Sequence, residues 1–207
     1  MRPLVVVLGI SLVAAAAVGA QEAPRQESWS RVGIGIAFLA SSPIGQLSGT
    51  STAYISVPTG STFRLEPTVG WQHSSFSDSS NIANAANGVS GSTSVFLVGV
   101  GFFGTTRPGN GATQLYYGPR IGLAWSSTNL ADRSSDSLSA SQTAWFVSAV
   151  LGGEHRIGHL SVGGEVGLSD LHISDPSYKQ AGTGFTITLE GSSTLGTSAA
   201  AFVRWYF

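Results

Sequence analysis

The stretch STFRLEPTVGWQHS, residues 61–74, decides the fold, because its side chains alternate between apolar and polar with a period of two residues. Its apolar side is formed by Phe63, Leu65, Val69 and Trp71, and its other side by Arg64, Glu66, Thr68, Gly70 and Gln72. An amphipathic helix would repeat its apolar residues every three or four positions instead. The stretch therefore predicts a β-strand with one apolar side and one side that carries charge.

Seven further segments show the same alternation. They are 29–40, 51–57, 93–104, 114–126, 143–156, 159–172 and 196–207. Most are longer than the roughly 5–6 residues of an average strand in a soluble protein and match the roughly 9–11 residues that cross a bilayer. The sequence thus predicts an all-β fold of eight strands, closed as an antiparallel up-and-down transmembrane β-barrel.

The connections between these segments alternate in length. Short connections are expected around 58–61, 105–112 and 156–158, and long polar ones around 40–49, 74–92, 127–141 and 173–194. Short turns at one end and long loops at the other are typical of outer-membrane barrels. The segment TGFTITLE, residues 183–190, also alternates, but a ninth spanning strand would break the even count. It is therefore interpreted as one arm of a hairpin that protrudes from the last loop.

The polar sides of the strands carry seven charges. They are Arg31, Arg64, Glu66, Arg120, Glu154, Glu165 and Arg204. The alternative is a soluble barrel, such as a lipocalin-like carrier, which would need its apolar side inside. Seven charges could not be buried in the core of such a protein without a large free-energy cost. In a membrane barrel they face the interior, where Arg and Glu pair and hydrogen-bond. The sequence therefore predicts a linked charge network inside a narrow barrel.

All five tryptophans lie near strand ends. They are Trp29 and Trp205 towards the chain termini, and Trp71, Trp125 and Trp145 towards the long loops. An indole ring is apolar with a single N–H donor, so it favours the boundary between lipid and water. Two aromatic girdles, one at each membrane surface, are expected.

Composition narrows the functional classes further. The 207 residues carry a net charge of −1, so the sequence has no basic field for nucleic acid, and only 10% of them are charged. There is no cysteine, hence no thiol nucleophile, disulfide or zinc–thiolate site, and we expect no metal and no cofactor. Residues 1–20 fit a secretory signal peptide, with a membrane anchor as the alternative, and 21–207 form the expected barrel domain.

The chain resembles the small eight-stranded outer-membrane barrels of the OmpA- and OmpX-like family over about residues 28–207. The most specific feature is the last segment, in which Ala201, Val203, Trp205 and Phe207 alternate up to a C-terminal Phe. The resemblance implies a Gram-negative outer-membrane location, contact with lipid and lipopolysaccharide, and a monomer. It also implies that Phe207 is an assembly signal read by the barrel-assembly machinery. The peptidoglycan-binding domain of larger members is not implied.

One short motif suggests a catalytic site. Asp170, His172 and Ser174 lie at the loop end of the segment 159–172 on one side of the strand, as a carboxylate, a base and a hydroxyl nucleophile would. The sequence HISDPSYKQAGTGFT is similar to the His-x-Ser-Asn motif of the lipid A 3-O-deacylases. It departs from that motif at Asp175, where the family has Asn, and at Thr186, where an acidic residue is expected. The alternative interpretation is a polar strand end that leads into a proline turn.

We therefore expect a non-enzymatic outer-membrane barrel whose exposed loops serve envelope integrity or binding. A deacylase-like hydrolase and a narrow pore are the alternatives. Eight strands leave an interior that side chains can fill, so little conductance is expected.

Overall fold

The computed structural model describes residues 31–41, 51–78, 89–108, 111–132, 137–175, 177–180, 186–188 and 190–207. These residues form ten β-strands: β1 Gly33–Ser41, β2 Ser51–Pro58, β3 Phe63–Asp78, β4 Val89–Thr106, β5 Thr113–Asp132, β6 Ser137–Ile157, β7 Leu160–Ile173, β8 Ser177–Gln180, β9 Thr186–Thr188 and β10 Ser192–Tyr206. Among the described residues, no helix is long and apolar enough to span a membrane. The expected signal peptide, residues 1–20, lies outside the described residues.

Eight of the strands close into a barrel. Each of β1 to β6 pairs antiparallel with the next, β7 pairs with β10, and β10 pairs back with β1. The closing seam runs from Gly33 opposite Tyr206 to Leu39 opposite Ala200. Closure pairs the backbone groups of the first and last strands, which hydrocarbon requires. The predicted eight-stranded antiparallel up-and-down barrel is confirmed.

The barrel has its apolar side outside. Along β6 and β7, exposed and buried residues alternate, and large apolar side chains such as Leu151 and Val166 are exposed while Glu154 is buried. The same arrangement holds for Arg64 on β3 and Arg204 on β10, both of which are buried in the interior. A soluble barrel would show the opposite arrangement, so the soluble alternative does not fit this structure.

Several strands extend further than the sequence predicts. Strand β3 continues to Asp78, β5 to Asp132, and β6 begins at Ser137, so much of the expected loops 74–92 and 127–141 is paired strand. These extensions have Ser and Thr on both sides. They therefore lack the alternation of apolar and polar residues by which a strand is recognised in the sequence. The expected protruding hairpin is present, because β9 pairs with β8, and β8 pairs with β6.

Glycines on the inner face of the barrel leave room for large neighbouring side chains. A Cβ at Gly163 would overlap the carbonyl oxygen of Gly153 and the ring of Phe202, so only glycine lets this ring lie across β7. At the turn between β6 and β7, Gly158 has a φ of 63°, a left-handed conformation that glycine adopts without strain.

Candidate functional site: the charged barrel interior

Glu66 is the centre of an ion-paired network inside the barrel. Its Oε1 accepts a hydrogen bond from Arg120 Nη2 at 3.0 Å, and its Oε2 accepts one from Arg204 Nη2 at 2.8 Å. Arg64 Nη2 lies 3.4 Å from the same Oε2. One carboxylate from β3 thus contacts three guanidinium groups from β3, β5 and β10, which ties together distant parts of the barrel wall.

Glu154 is a second centre, nearer the short turns. It accepts hydrogen bonds from Arg64 Nη1 at 2.5 Å and from Arg204 Nη1 at 2.8 Å. The hydroxyl of Ser161 donates to it at 2.8 Å, and that of Tyr206 donates to it at 3.0 Å. Its negative charge is therefore compensated from β3, β7 and β10 together.

Glu165 completes the network towards the long loops. It forms a bidentate ion pair with Arg120, in which Arg120 Nη2 donates to Oε2 at 3.1 Å and Nη1 donates to Oε1. The hydroxyl of Tyr116 donates to Oε2 at 2.9 Å. Planar two-point pairing of this kind fixes geometry as well as charge.

Aromatic rings stack against guanidinium groups of the network. The guanidinium carbon of Arg64 lies 4.1 Å from the ring centre of Tyr116, and that of Arg204 lies 4.7 Å from that of Tyr54. Stacking against the face of an aromatic ring stabilises a cation that has lost its water. Sequence reasoning did not select these tyrosines, although each lies on the polar side of its strand.

The interior contains six of the seven charges expected there. Arg31 lies outside the network: it is exposed, and its Nη1 is 3.5 Å from His159 Nδ1. It precedes the first paired residue, Gly33, so it has the inward parity but sits beyond the barrel wall. Arg156, which was not expected, is buried, and its guanidinium carbon lies 4.7 Å from the ring centre of Tyr206. Its spacing of two from Glu154 was the available signal.

The solvent exposure of the network side chains increases from the short turns towards the long loops. The side chains of Arg204 and Glu154 are 0% exposed, whereas those of Arg120 and Glu165 are 15% and 10% exposed. The network is therefore dry on the side of the short turns and reaches open space on the side of the long loops. Its three Arg and three Glu side chains balance in charge, and Arg156 adds one positive charge near the turn end.

Outside the barrel, tryptophans mark two levels. Trp71 lies opposite Phe96, Phe96 lies opposite Trp125 and stacks with it at 5.7 Å, and Trp145 lies on the next strand. Trp205 lies at the other end, stacked on His159 at 5.6 Å. Apolar side chains cover the outer face between these levels. The chain has the fold of a transmembrane β-barrel. Trp29 lies outside the described residues.

Phe207 follows β10 at the level of the short turns. Its backbone N–H donates to the carbonyl oxygen of Val32 at 3.1 Å, and its ring is exposed on the outer surface. Its role as an assembly signal stays a prediction.

The residues of the possible hydrolase motif do not engage one another. Asp170, His172 and Ser174 are all exposed on the outer face. His172 packs against Trp145 with ring centres 5.3 Å apart, and the hydroxyl of Ser174 donates to the carbonyl oxygen of Thr143 at 2.7 Å. No hydrogen bond joins these three described side chains to each other. Across the described ranges, no group of three His, Cys, Asp or Glu is arranged to hold a metal ion.

Comparison with known proteins finds similar chains among solved structures. No protein-family model and no curated protein matches the chain. Among solved structures, the chain is similar to a major outer membrane protein from Thermus thermophilus, with a TM-score of 0.49, 9% identity, and coverage of 86% of this chain and 98% of that one. It is also similar to Ail, the attachment invasion locus protein of Yersinia pestis, with a TM-score of 0.47, 9% identity, and coverage of 85% and 95%.

A third similar structure is the outer membrane protease OmpT from Escherichia coli, with a TM-score of 0.40, 11% identity, and coverage of 76% of this chain and 63% of that one. The small outer-membrane barrel fold that the sequence resemblance implied is confirmed by the closed eight-stranded sheet with its apolar outer face. At such low identity, the likeness to these proteins does not extend to activity or to residue roles.

Proposed function

We propose that this protein is a non-enzymatic barrel of the outer membrane that presents a binding sheet at the cell surface. The observation that carries this proposal is the continuation of the barrel wall past Trp71 and Trp125. Strands β3 and β4 stay paired as far as Asp78 opposite Val89, seven residues beyond Trp71. At about 3.3 Å per residue, these strands extend roughly 23 Å along their own length beyond Trp71, and their tilt makes the height above the aromatic level smaller.

This protruding sheet consists of the extensions of β3, β4, β5 and β6 together with β8 and β9. About half of the residues in 71–78, 89–95, 126–132 and 137–143 are Ser or Thr, and Asp78 and Asp132 carry the only full charges in these segments. Such a surface stays hydrated without a strong electrostatic field, which suits contact with an uncharged partner.

One apolar row crosses the sheet on the face that continues the barrel interior. Phe76 lies opposite Gly91, Gly91 opposite Leu130, and Leu130 opposite Leu138. Phe76 and Leu138 are exposed, and a Cβ at Gly91 would lie 2.7 Å from both the Leu130 and the Phe76 side chains. The side chains of Phe76 and Leu130 therefore lie close over the glycine, and hydroxyl-bearing residues flank them. We propose this row, Phe76, Gly91, Leu130 and Leu138, as the contact surface for apolar side chains of a protein partner.

The interior of the barrel is filled by side chains, which supports a function other than the passage of solutes. Arg and Glu side chains from β3, β5, β6, β7 and β10 meet across the lumen, and the deepest of them are inaccessible to solvent. We expect no stable conductance steps from the protein in planar bilayers. A steady open conductance would instead support the alternative of a narrow pore.

Single cysteines test the orientation, because the chain has none of its own. Ser75→Cys, on the protruding sheet, should react with a membrane-impermeant maleimide on intact cells. Thr59→Cys, in the short turn before β3, should react only after the outer membrane is permeabilised. The reverse labelling pattern would place the sheet in the periplasm and would overturn the proposal.

Peptide display tests the binding surface. Phage that carry random peptides are selected on the barrel in lipid nanodiscs, and the retained clones are tested on two double variants. Binding should fall at least tenfold on Phe76→Ser with Leu138→Ser. It should persist on Ser75→Ala with Ser139→Ala, which change the opposite face of the same strands. Absence of enrichment, or equal binding to both variants, would contradict the proposed contact surface.

A further inference from the structure

A cavity of about 70 Å³ lies inside the barrel between the charge network and the end with the long loops. All eight barrel strands contribute to its lining. Its walls combine apolar side chains, among them Leu97, Phe146, Val150 and Leu171, with the hydroxyl groups of Thr52, Thr68, Ser148, Ser169 and Ser198. This volume would hold several water molecules.

The floor of the cavity carries its charged groups. It is formed by Glu66, Arg120 and Glu165, of which Arg120 and Glu165 keep part of their side chains exposed. The floor thus presents a guanidinium donor beside a carboxylate acceptor, both fixed by their mutual ion pair. A molecule that enters therefore meets a charged donor and a charged acceptor at one end and, along its length, apolar side chains interspersed with hydroxyl groups.

The charge balance of the floor determines which head group fits. Three guanidinium groups, those of Arg64, Arg120 and Arg204, are matched by the three carboxylates of the network. An added carboxylate would face Glu66 and Glu165, and an added ammonium group would face Arg120. Either ion would also lose its water in a site whose charges are already balanced. A hydroxyl or a primary amide both donates and accepts, so it satisfies the floor without adding charge.

We propose that this cavity is a binding site for a small uncharged amphiphile, with its hydroxyl or amide group on Arg120 and Glu165 and its alkyl chain along Leu97, Phe146 and Leu171. This site is separate from the protruding sheet and does not depend on its function. The ligand is recognised by being neutral at the head and apolar in the body.

Three probes with the same chain length test the head group: 1-butanol, butyrate and butylamine. Each is titrated into the barrel in lipid nanodiscs, and the methyl NMR signals of Leu97, Val150 and Leu171 are followed. 1-Butanol should give saturable shifts, with an affinity at least tenfold higher than that of either ion. Stronger saturable binding of butyrate or butylamine would overturn the assignment of a neutral ligand.

Two variants of β10 separate binding in the cavity from partition into the bilayer. Ser198 lines the cavity, so Ser198→Leu should fill it and abolish the saturable shifts. Thr197→Leu adds the same side chain to the opposite, exposed face and should leave the shifts unchanged. Equal shifts in both variants, or shifts that rise linearly without saturation, would refute a cavity site. If Ser198→Leu does not fold, Ala200→Val narrows the same cavity and carries the same expectation.

Discussion

Replacing Glu66 with glutamine tests whether the interior network stabilises the barrel. The substitution keeps the shape of the side chain but removes a charge that contacts Arg64, Arg120 and Arg204. The glutamine carbonyl oxygen can still accept one of the two short hydrogen bonds, while its NH2 group would face a guanidinium group. Three guanidinium groups would then share two carboxylates in a site where Glu66 is only 2% exposed.

The expected loss follows from this geometry. Removing one partner of a buried ion pair costs about 3–5 kcal/mol, because the other charge stays buried without compensation. Loss of one hydrogen bond to a charged group would alone account for about 1.5–3 kcal/mol. We therefore expect Glu66→Gln to lower the free energy of unfolding by about 3–5 kcal/mol.

The assay is urea unfolding of the barrel refolded in detergent or lipid, followed by tryptophan fluorescence and by the shift in electrophoretic mobility on heating. Glu165→Gln should cost less than Glu66→Gln, because the Glu165 side chain is 10% exposed and that of Glu66 only 2%, so water compensates the change better at Glu165. Glu190→Gln changes an exposed carboxylate and serves as the control, with an expected effect near zero. A loss below about 1 kcal/mol for Glu66→Gln, or a larger loss for Glu190→Gln, would refute a stabilising role for the network.

Three further outcomes follow from the packing, and denaturant unfolding measures each of them. Gly163→Ala should destabilise by about 1–3 kcal/mol because its Cβ would overlap backbone and the ring of Phe202, whereas Gly164→Ala on the outer face should be nearly neutral; equal effects would show that interior space is not limiting. Val166→Arg, half-way along the outer face of β7, should cost about 2–4 kcal/mol in lipid, and Ser75→Arg above the aromatic level should cost little; a neutral Val166→Arg would mean that this face does not meet hydrocarbon. Tyr206→Phe should cost about 1.5–3 kcal/mol through loss of the hydroxyl between Arg204 and Glu154, and no loss would mean that Arg204 compensates Glu154 alone.

The sequence predicts the barrel well because strand parity is a local property. Once Phe63 and Trp71 are assigned to lipid, Arg64 and Glu66 must face inward, and the same rule orients each of the other strands. Parity does not give height along the barrel axis, however. Arg31 shares the inward parity but lies before the first paired residue, and only the register of β1 against β10 reveals this.

The protruding sheet could not be predicted by the same rule. From Ser74 to Ser77 and from Ser90 to Ser94, both sides of the strand are largely polar, so the period of two disappears although the backbone pairing continues. Pairing there is set by strands already aligned in the membrane, since a hairpin extends its ladder wherever both arms remain in register. The alternation of apolar and polar residues indicates that one face of a strand meets lipid and the other does not. Above the membrane both faces meet water, so this alternation is lost.

The interior cavity depends on volumes that no periodicity encodes. On the side of the short turns, Phe103, Tyr116, Tyr206 and the Arg side chains fill the lumen. Towards the long loops, the inward positions are small or slender, such as Thr68 and Ser148, and the filling stops above Arg120 and Glu165. The same network therefore does two things: its dry half ties the strands together, and its exposed half gives the open part of the lumen a polar floor. The proposed ligand site thus lies where the large interior side chains end along the barrel axis. Variants that move this boundary, by adding or removing large inward side chains, should change ligand binding.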